Sequence, residues 1–354
     1  MPTIAEIAQA RQVPLTSGIF EAVQTDAPAL SAFDARTVAG TKFMTLALTG
    51  LPSAGFKNLN EGFTASSATL AVREFEASLI GGLIKEEVIT ANRWNQAHGA
   101  SGTTYFDLQT MAKMKADARH IESQLFYGTS NDAKGFPGMK ELTPYSTANS
   151  LSLTADPGAS DYTKTFVNAG GTTATTASSV YSVIFGEMDA QLIVANDGGG
   201  ELLTMTEILE QMLAPDSDAP TALSLHRVAQ VYGFLGLSVS GMNQTPNDVI
   251  PTQYSVRRLG NLTEDSGKGV TDAKLEQLVL SHGDGKVPSM LFMNGRSARQ
   301  WADSRSASTA TLFLGMSGDA KNNTGSLRAK RPDNFEGIPV TYTSKILSTD
   351  AIES

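Results

Sequence analysis

Between Thr103 and Tyr127 apolar positions recur at intervals of three and four: Leu108, Met111, Met114, Ala118, Ile121 and Leu125 mark one face of a helix. Thr104 followed by Asp107 is a capping-box signature, and Gly128 is suited to end the helix with a left-handed residue. At about 1.5 Å per residue the helix spans ~36 Å, enough to cross a whole domain. Its Met and Phe side chains read as core packing rather than a cofactor box. The stretch that follows, "YGTSNDAKGFPGM" (127–139), is a polar turn and then an apolar knot of Phe136, Pro137, Gly138 and Met139. It contains no nucleophile, base or phosphate cradle.

Residues 42 to 80 show partial alternation instead. "KFMTLAL" leads out, "GLPSAGFKNLNEGFTASSA" turns, and "TLAVREFEASL" returns with Leu70, Val72, Phe75 and Leu79 as apolar markers. The pattern predicts a long irregular hairpin, and a loop of this length inside a compact domain points to function or to a bound partner. Residues 1 to 35 read as an arm: Ile4, Ile7 and Ala8 suit one amphipathic turn, whereas Pro14, Gly18 and Pro28 interrupt regular structure. Such an arm is expected to be ordered only against a neighbour. Downstream, "SVYSVIFG" with "AQLIVAN" and "GFLGLSVSG" with "QYSVRRLGNL" are expected to pair as sequential strands. A short helix over 272–282, the buried strand "PSMLFMN" opening into "GRSARQW", and the closing strand "FEGIPVTYTSKIL" complete a mixed α+β chain.

Composition narrows the functions this pattern can serve. The 354 residues are enough for a large core, and 41% hydrophobic content describes a folded chain. Charged residues make up only 18%, below the usual share of about a quarter, which hints at surface covered by something other than water. A net charge of −9 argues against an ordinary nucleic-acid binder; Arg328, Lys330 and Arg331 form the nearest thing to a basic patch. The absence of cysteine excludes disulfides, thiolate zinc and cysteine nucleophiles, and His98, His120, His226 and His282 are too dispersed to suggest a metal cluster. Residues 1 to 20 lack a basic start followed by an apolar run, and no segment approaches the roughly 18 apolar residues of a membrane span. The expectation is a soluble protein made in a cytoplasm.

The motifs that tempt a catalytic reading do not sustain one. "NDGGGE" (196–201) lacks the Lys and Ser or Thr of a phosphate loop, and "HGDGK" (282–286) suits a helix end. There is no Gly-x-Ser-x-Gly elbow. Glu86 with Glu87, and Glu74 with Glu76, read as solvated surface charges unless a partner's Arg or Lys meets them. No enzyme activity, cofactor or metal is expected.

Six segments in order carry a resemblance: "GLPSAGFKNLNEG" (50–62), "ARHIESQLFYG" with "GFPGM", "VNAGGTTATTASSVYSVIFGE" (167–187), "GFLGLSV" with "YSVRRLGNL", "SMLFMNGRSARQW", and "FEGIPVTYTSKI". Together they resemble the major capsid proteins of tailed bacteriophages with the Hong-Kong-97-like fold, most nearly the branch of short-tailed phages. The resemblance implies an N-terminal arm (1–41), an extended hairpin loop (42–80), and a peripheral domain (81–145) with a spine helix over 103–127. It further implies strands shared between peripheral and axial domains (146–262) and a mostly axial segment with the closing strand (263–354). The implied function is self-assembly into the icosahedral shell of a virion in the host cytoplasm. Hexamers and pentamers of this chain, a separate scaffolding protein, a portal, a decoration protein and weakly held packaged DNA are the implied partners; no membrane is. The implied assembly contacts are Phe56, Lys57, Asn58 and Phe63 near the hairpin tip and Glu74 and Glu76 on the returning run. Some relatives cross-link Lys to Asn, and position alone would put Lys57 in that role. An encapsulin-like nanocompartment shell and, from a different class, a surface carbohydrate-binding protein are the competing readings, with a hydrolase third.

Overall fold

The computed structural model describes residues 27–50, 52–98, 104–146, 150–152, 164–187, 189–195, 203–215, 223–240, 255–282, 286–314 and 332–353. In chain order, α1 (Pro28–Ala32) and β1 (Ala35–Thr37) precede three long strands, β2 (Lys42–Gly50), β3 (Thr69–Glu76) and β4 (Ser78–Glu87). Two helices follow, α2 (Val88–His98) and the long α3 (Tyr105–Tyr127), then a short α4 (Met139–Leu142). The strands β5 (Ser150–Ser152), β6 (Phe166–Asn168), β7 (Ser178–Val183), β8 (Gln191–Val194), β9 (Thr204–Pro215), β10 (Leu223–Ser238) and β11 (Val256–Leu262) come next. The chain ends with α5 (Asp272–Leu280), β12 (Met290–Met293), α6 (Gly295–Leu314), β13 (Asn334–Phe335) and β14 (Ile338–Tyr342). The arm before residue 27 and the glycine run at 196–201 lie outside the described residues.

A seven-stranded sheet in the order β13-β14-β12-β7-β11-β6-β5 forms the middle of the body. Every residue of β7 and β11 is buried, so this sheet is covered on both faces, and successive side chains enter different cores. Tyr181, Val183, Val256 and Phe292 join one core with Ile121, Leu125 and Phe126 of α3. Val180, Leu259, Leu291 and Met293 join the other with Leu275 and Leu278 of α5 and Trp301 of α6. A second sheet, β1-β8-β10-β4 with β9 also on β10, supports the first half of α3, where Phe106 packs with Ile84, Ala229 and Val231.

The long helix starts at the capping box read from the sequence. The Thr104 hydroxyl accepts from the Asp107 N–H at 3.2 Å and the Asp107 carboxylate accepts from the Thr104 N–H at 3.0 Å. It stops at Gly128, whose φ of 56° favours glycine. The chain is then pinned back: Phe136 and Met139 are buried in the α3 core, and the Gln124 amide donates to the Phe136 carbonyl at 2.8 Å.

Three expectations need correction. "SVYSVIFG" and "AQLIVAN" do not form a strand pair, because both edges of β7 are taken by β11 and β12, leaving β8 to pair with β1 and β10. "GFLGLSVSG" and "QYSVRRLGNL" belong to different sheets for the same reason: β10 bonds β4, β8 and β9, while β11 bonds β6 and β7. The stretch around Pro28 is regular after all. Pro28 opens α1, where its missing N–H costs nothing, and Ala29, Leu30 and Phe33 are buried in the α3 core of their own chain, with Phe33 stacked on Phe292 of β12 at 5.6 Å between ring centroids.

Candidate assembly surface

The strands β2 and β3 pair antiparallel with Phe43 opposite Phe75, Met44 opposite Glu74, Thr45 opposite Arg73 and Leu46 opposite Val72. Directly opposed residues share a face. Phe43, Thr45, Arg73 and Phe75 therefore face one way, and Phe75 and Arg73 are only 3% and 4% exposed. Phe43 stacks on Phe75 at 6.4 Å between ring centroids and carries the Arg36 guanidinium 5.0 Å above its ring. Met44, Leu46, Leu70 and Val72 face the other way and stay between 61% and 63% exposed. A two-stranded ribbon with one face packed and the other apolar in water is what an unsatisfied interface looks like.

At the foot of the ribbon Lys42 bonds both Glu74 (2.5 Å) and Glu76 (2.7 Å). These two carboxylate hydrogen bonds push the lysine above its ordinary pKa. Lys42 thus holds both carboxylates within their own chain, the cluster keeps one net negative charge, and a partner's cation would have to share Glu74 and Glu76 with Lys42. The other four sequence-derived contacts, Phe56, Lys57, Asn58 and Phe63, sit together in the loop 52–68, every residue of which is exposed.

The loop is nonetheless braced. The Glu61 N–H donates to the Asn58 carbonyl at 3.1 Å, the Glu61 carboxylate accepts from the Asn58 N–H at 3.1 Å, and Asn60 adopts a φ of 78°. Leu59 stands at the apex, and with Phe56 and Phe63 it is at least 87% exposed. The sequence reading did not propose Met44, Leu46, Leu59, Leu70 or Val72 as contacts. Alternation in "FMTLAL" opposite "TLAVREF" was the signal that separated the two faces. Leu79, Leu83 and Ile89 extend the run of exposed apolar side chains into β4 and α2.

No group of three or more His, Cys, Asp or Glu among the described residues is arranged to hold a metal. The Ser182 hydroxyl lies 2.8 Å from His282 Nε2, but both residues are at most 1% exposed, sealed between the sheet and α5, so no substrate reaches the pair. No described helix is long and apolar enough to cross a membrane.

These elements define the Hong-Kong-97-like capsid fold: an α+β body with a long helix across a covered sheet, and a two-stranded ribbon projecting from it. The solved structure of bacteriophage epsilon15 contains a chain of this fold, matched with a TM-score of 0.57 and 17% identity over 90% of this chain and 87% of that one. The bacteriophage JBD30 capsid aligns over 98% of this chain and 99% of its own, at a TM-score of 0.46 and 11% identity. No family model matches the sequence, and no curated protein matches it.

Proposed function

We propose that this chain is a major capsid protein that assembles with copies of itself into the closed icosahedral shell of a tailed phage. The single observation that carries the reading is the outward apolar face of the ribbon, Met44, Leu46, Leu70 and Val72, which stays more than 60% exposed while Arg73 and Phe75 on the inner face are buried. The placement among short-tailed phages belongs to the proposal and rests on the sequence segments alone. So do the arm that packs under a neighbour, a separate scaffold, a portal, a decoration protein, loosely held DNA and assembly in the host cytoplasm.

The physical logic is one of many weak contacts. A closed shell is built from heterologous contacts whose rotations close into rings. A millimolar contact is worth only about 4 kcal/mol, so misplaced subunits leave before closure. Several such contacts per subunit raise one another's effective concentration, and the finished shell barely dissociates.

Negative-stain electron microscopy of the purified chain, alone and with candidate scaffold, tests the proposal. Closed shells, or sheets and tubes of hexamers, are the expected result. A chain that stays monomeric at high concentration with scaffold present removes the capsid reading.

A further inference from the structure

The helix α1 has no side-chain cap of its own. Ala27 stands at its N-cap and offers no acceptor, so the N–H groups of the first turn need one from elsewhere. Glu122 supplies it from α3: its Oε1 accepts from the Ala29 N–H at 3.0 Å, across 93 positions of sequence. Glu122 is fully buried, and its Oε2 has no hydrogen-bond partner among the described residues. The segment after β14 closes the third side of this seat with the buried Thr343 and with Lys345. A carboxyl group is thus enclosed by three elements at the point where residues 1–26 join the body.

We propose that Glu122 is a proton-controlled latch on α1, closed over the start of the helix while its carboxyl is neutral and released when the carboxyl ionises. The device is independent of the shell-forming reading, and it moves only residues 27–32. At the far end Phe33 is stacked on Phe292 at 5.6 Å and set edge-on to Phe185 at 4.8 Å between ring centroids. The Leu192 N–H donates to the Asp34 carbonyl at 2.8 Å just beyond. Those ties hold the chain while the first turn lifts. Opening withdraws only Ala27, Ala29 and Leu30 from the core, a small apolar area, so it costs far less than unfolding the body.

An ionised oxygen without a donor is far more costly in a core than a neutral carboxyl. Burial accordingly raises the Glu122 pKa above 4.5, against the pull of the Thr343 hydroxyl, the Ala29 N–H and Lys345. Lys345 is the charged group that faces the carboxyl from the closing segment. The α1 sequence PALSA presents no ionisable side chain, and Arg119 and His120 on α3 are exposed. With α1 lifted, the carboxyl meets water and titrates near its ordinary value. Below pH 4.5 both forms are protonated and the seat keeps its full strength. Between 4.5 and the raised value only the lifted form has ionised, so the ratio of closed to lifted chains falls by up to about tenfold per pH unit and then levels off.

Amide hydrogen exchange of the unassembled full chain tests the latch, followed from pH 4.5 upward and expressed as protection relative to the free-peptide rate. Protection over 27–32 is expected to fall by up to about tenfold per pH unit and to drop below that over 118–126 of α3. Glu122→Gln keeps an acceptor for Ala29 and carries no charge, so its protection over 27–32 should not change with pH. Lys345→Met removes the cation that favours ionisation, so protection should level off at a higher pH than in the unsubstituted chain. A purely structural role for Glu122 would leave that levelling point in place. Loss of protection over 27–32 and 118–126 in step at every pH overturns the proposal, because Glu122 would then ionise only on unfolding of the body. A pH dependence that survives Glu122→Gln overturns it as well, because another group would then be responsible. So does a levelling point unmoved in Lys345→Met.

Discussion

Replacing Leu46 and Val72 together by threonine separates stability from assembly. The two side chains oppose each other on the outer ribbon face and are 63% and 61% exposed. Fully burying a Leu or Val side chain is worth roughly 1.5–3 kcal/mol, so the surface still open on each is worth about 1–2 kcal/mol when a neighbour covers it. The pair then costs the subunit contact about 2–4 kcal/mol, or roughly thirtyfold to a thousandfold in its dissociation constant. Threonine keeps the β-branching of Val72 and introduces it at Leu46, which suits a strand, so the unassembled chain should change by no more than about 0.5 kcal/mol. Light scattering against protein concentration reads the first quantity, and urea unfolding of unassembled chain reads the second. An unchanged assembly threshold refutes the idea that this face is covered in the shell. A loss of 2 kcal/mol or more in the unassembled chain refutes the idea that it is free before assembly.

Tyr127→Phe removes a hydroxyl that donates to the Asp350 carboxylate at 3.0 Å and accepts from the Leu347 N–H at 2.7 Å. Orphaning these groups should cost about 1–3 kcal/mol and raise hydrogen exchange over 346–350 ahead of the rest of the chain. Burial raises the pKa of Glu122 above 4.5 against opposing hydrogen bonds from Thr343 and from the Ala29 N–H, and the pull of Lys345. The folded state therefore holds this proton longer than the unfolded chain does, and its stabilisation is complete below pH 4.5 and lost as pH rises through the folded value. Glu122→Gln, which keeps the acceptor for Ala29, should flatten the fall in urea midpoint above pH 4.5; an unaltered slope refutes the assignment. Gly128→Ala places a Cβ 2.2 Å from the Gly138 nitrogen at a φ of 56°, so a loss of more than about 2 kcal/mol is expected by the same unfolding measurement.

The long helix was legible because its information is local: period, capping box and terminal glycine all lie within one stretch. The hairpin was legible from its punctuation, and its two faces from alternation once the register was known. Strand pairing was not, because it is decided by which edges are free, and β7 has none to offer β8. β9 went unread because "TMTEILEQMLAP" is rich in Leu, Glu, Gln and Met, which favour a helix; pairing with β10 overrides that preference. The candidate contacts divided for a physical reason. Phe56 and Phe63 are apolar residues on a loop with no body beneath it, which a sequence can suggest. The capture of Glu74 and Glu76 by Lys42 depends on a register that brings residue 42 opposite residue 76.

The polar ties of the body explain why the hairpin can be altered separately from it. The segment after β14 is clamped at several points: Asp350 by Tyr127 and by Lys140 at 3.4 Å, Glu353 by the buried Arg258 through a two-pronged ion pair, and the Ile346 and Leu347 carbonyls by the Asn294 amide. Removing one partner of a buried charge pair costs about 3–5 kcal/mol, so damage here unfolds the body before it informs on assembly. The loop 52–68 contributes no residue to any of the three buried cores. A subunit built this way keeps its stability in the helix, the covered sheet and the closing segment, and leaves its association energy on the outer ribbon face and tip. Substitutions at Leu46, Leu59 and Val72 should therefore move the assembly threshold while the unfolding midpoint stays still. Substitutions at Tyr127 and Arg258 should lower the midpoint first, and the two groups should not exchange roles.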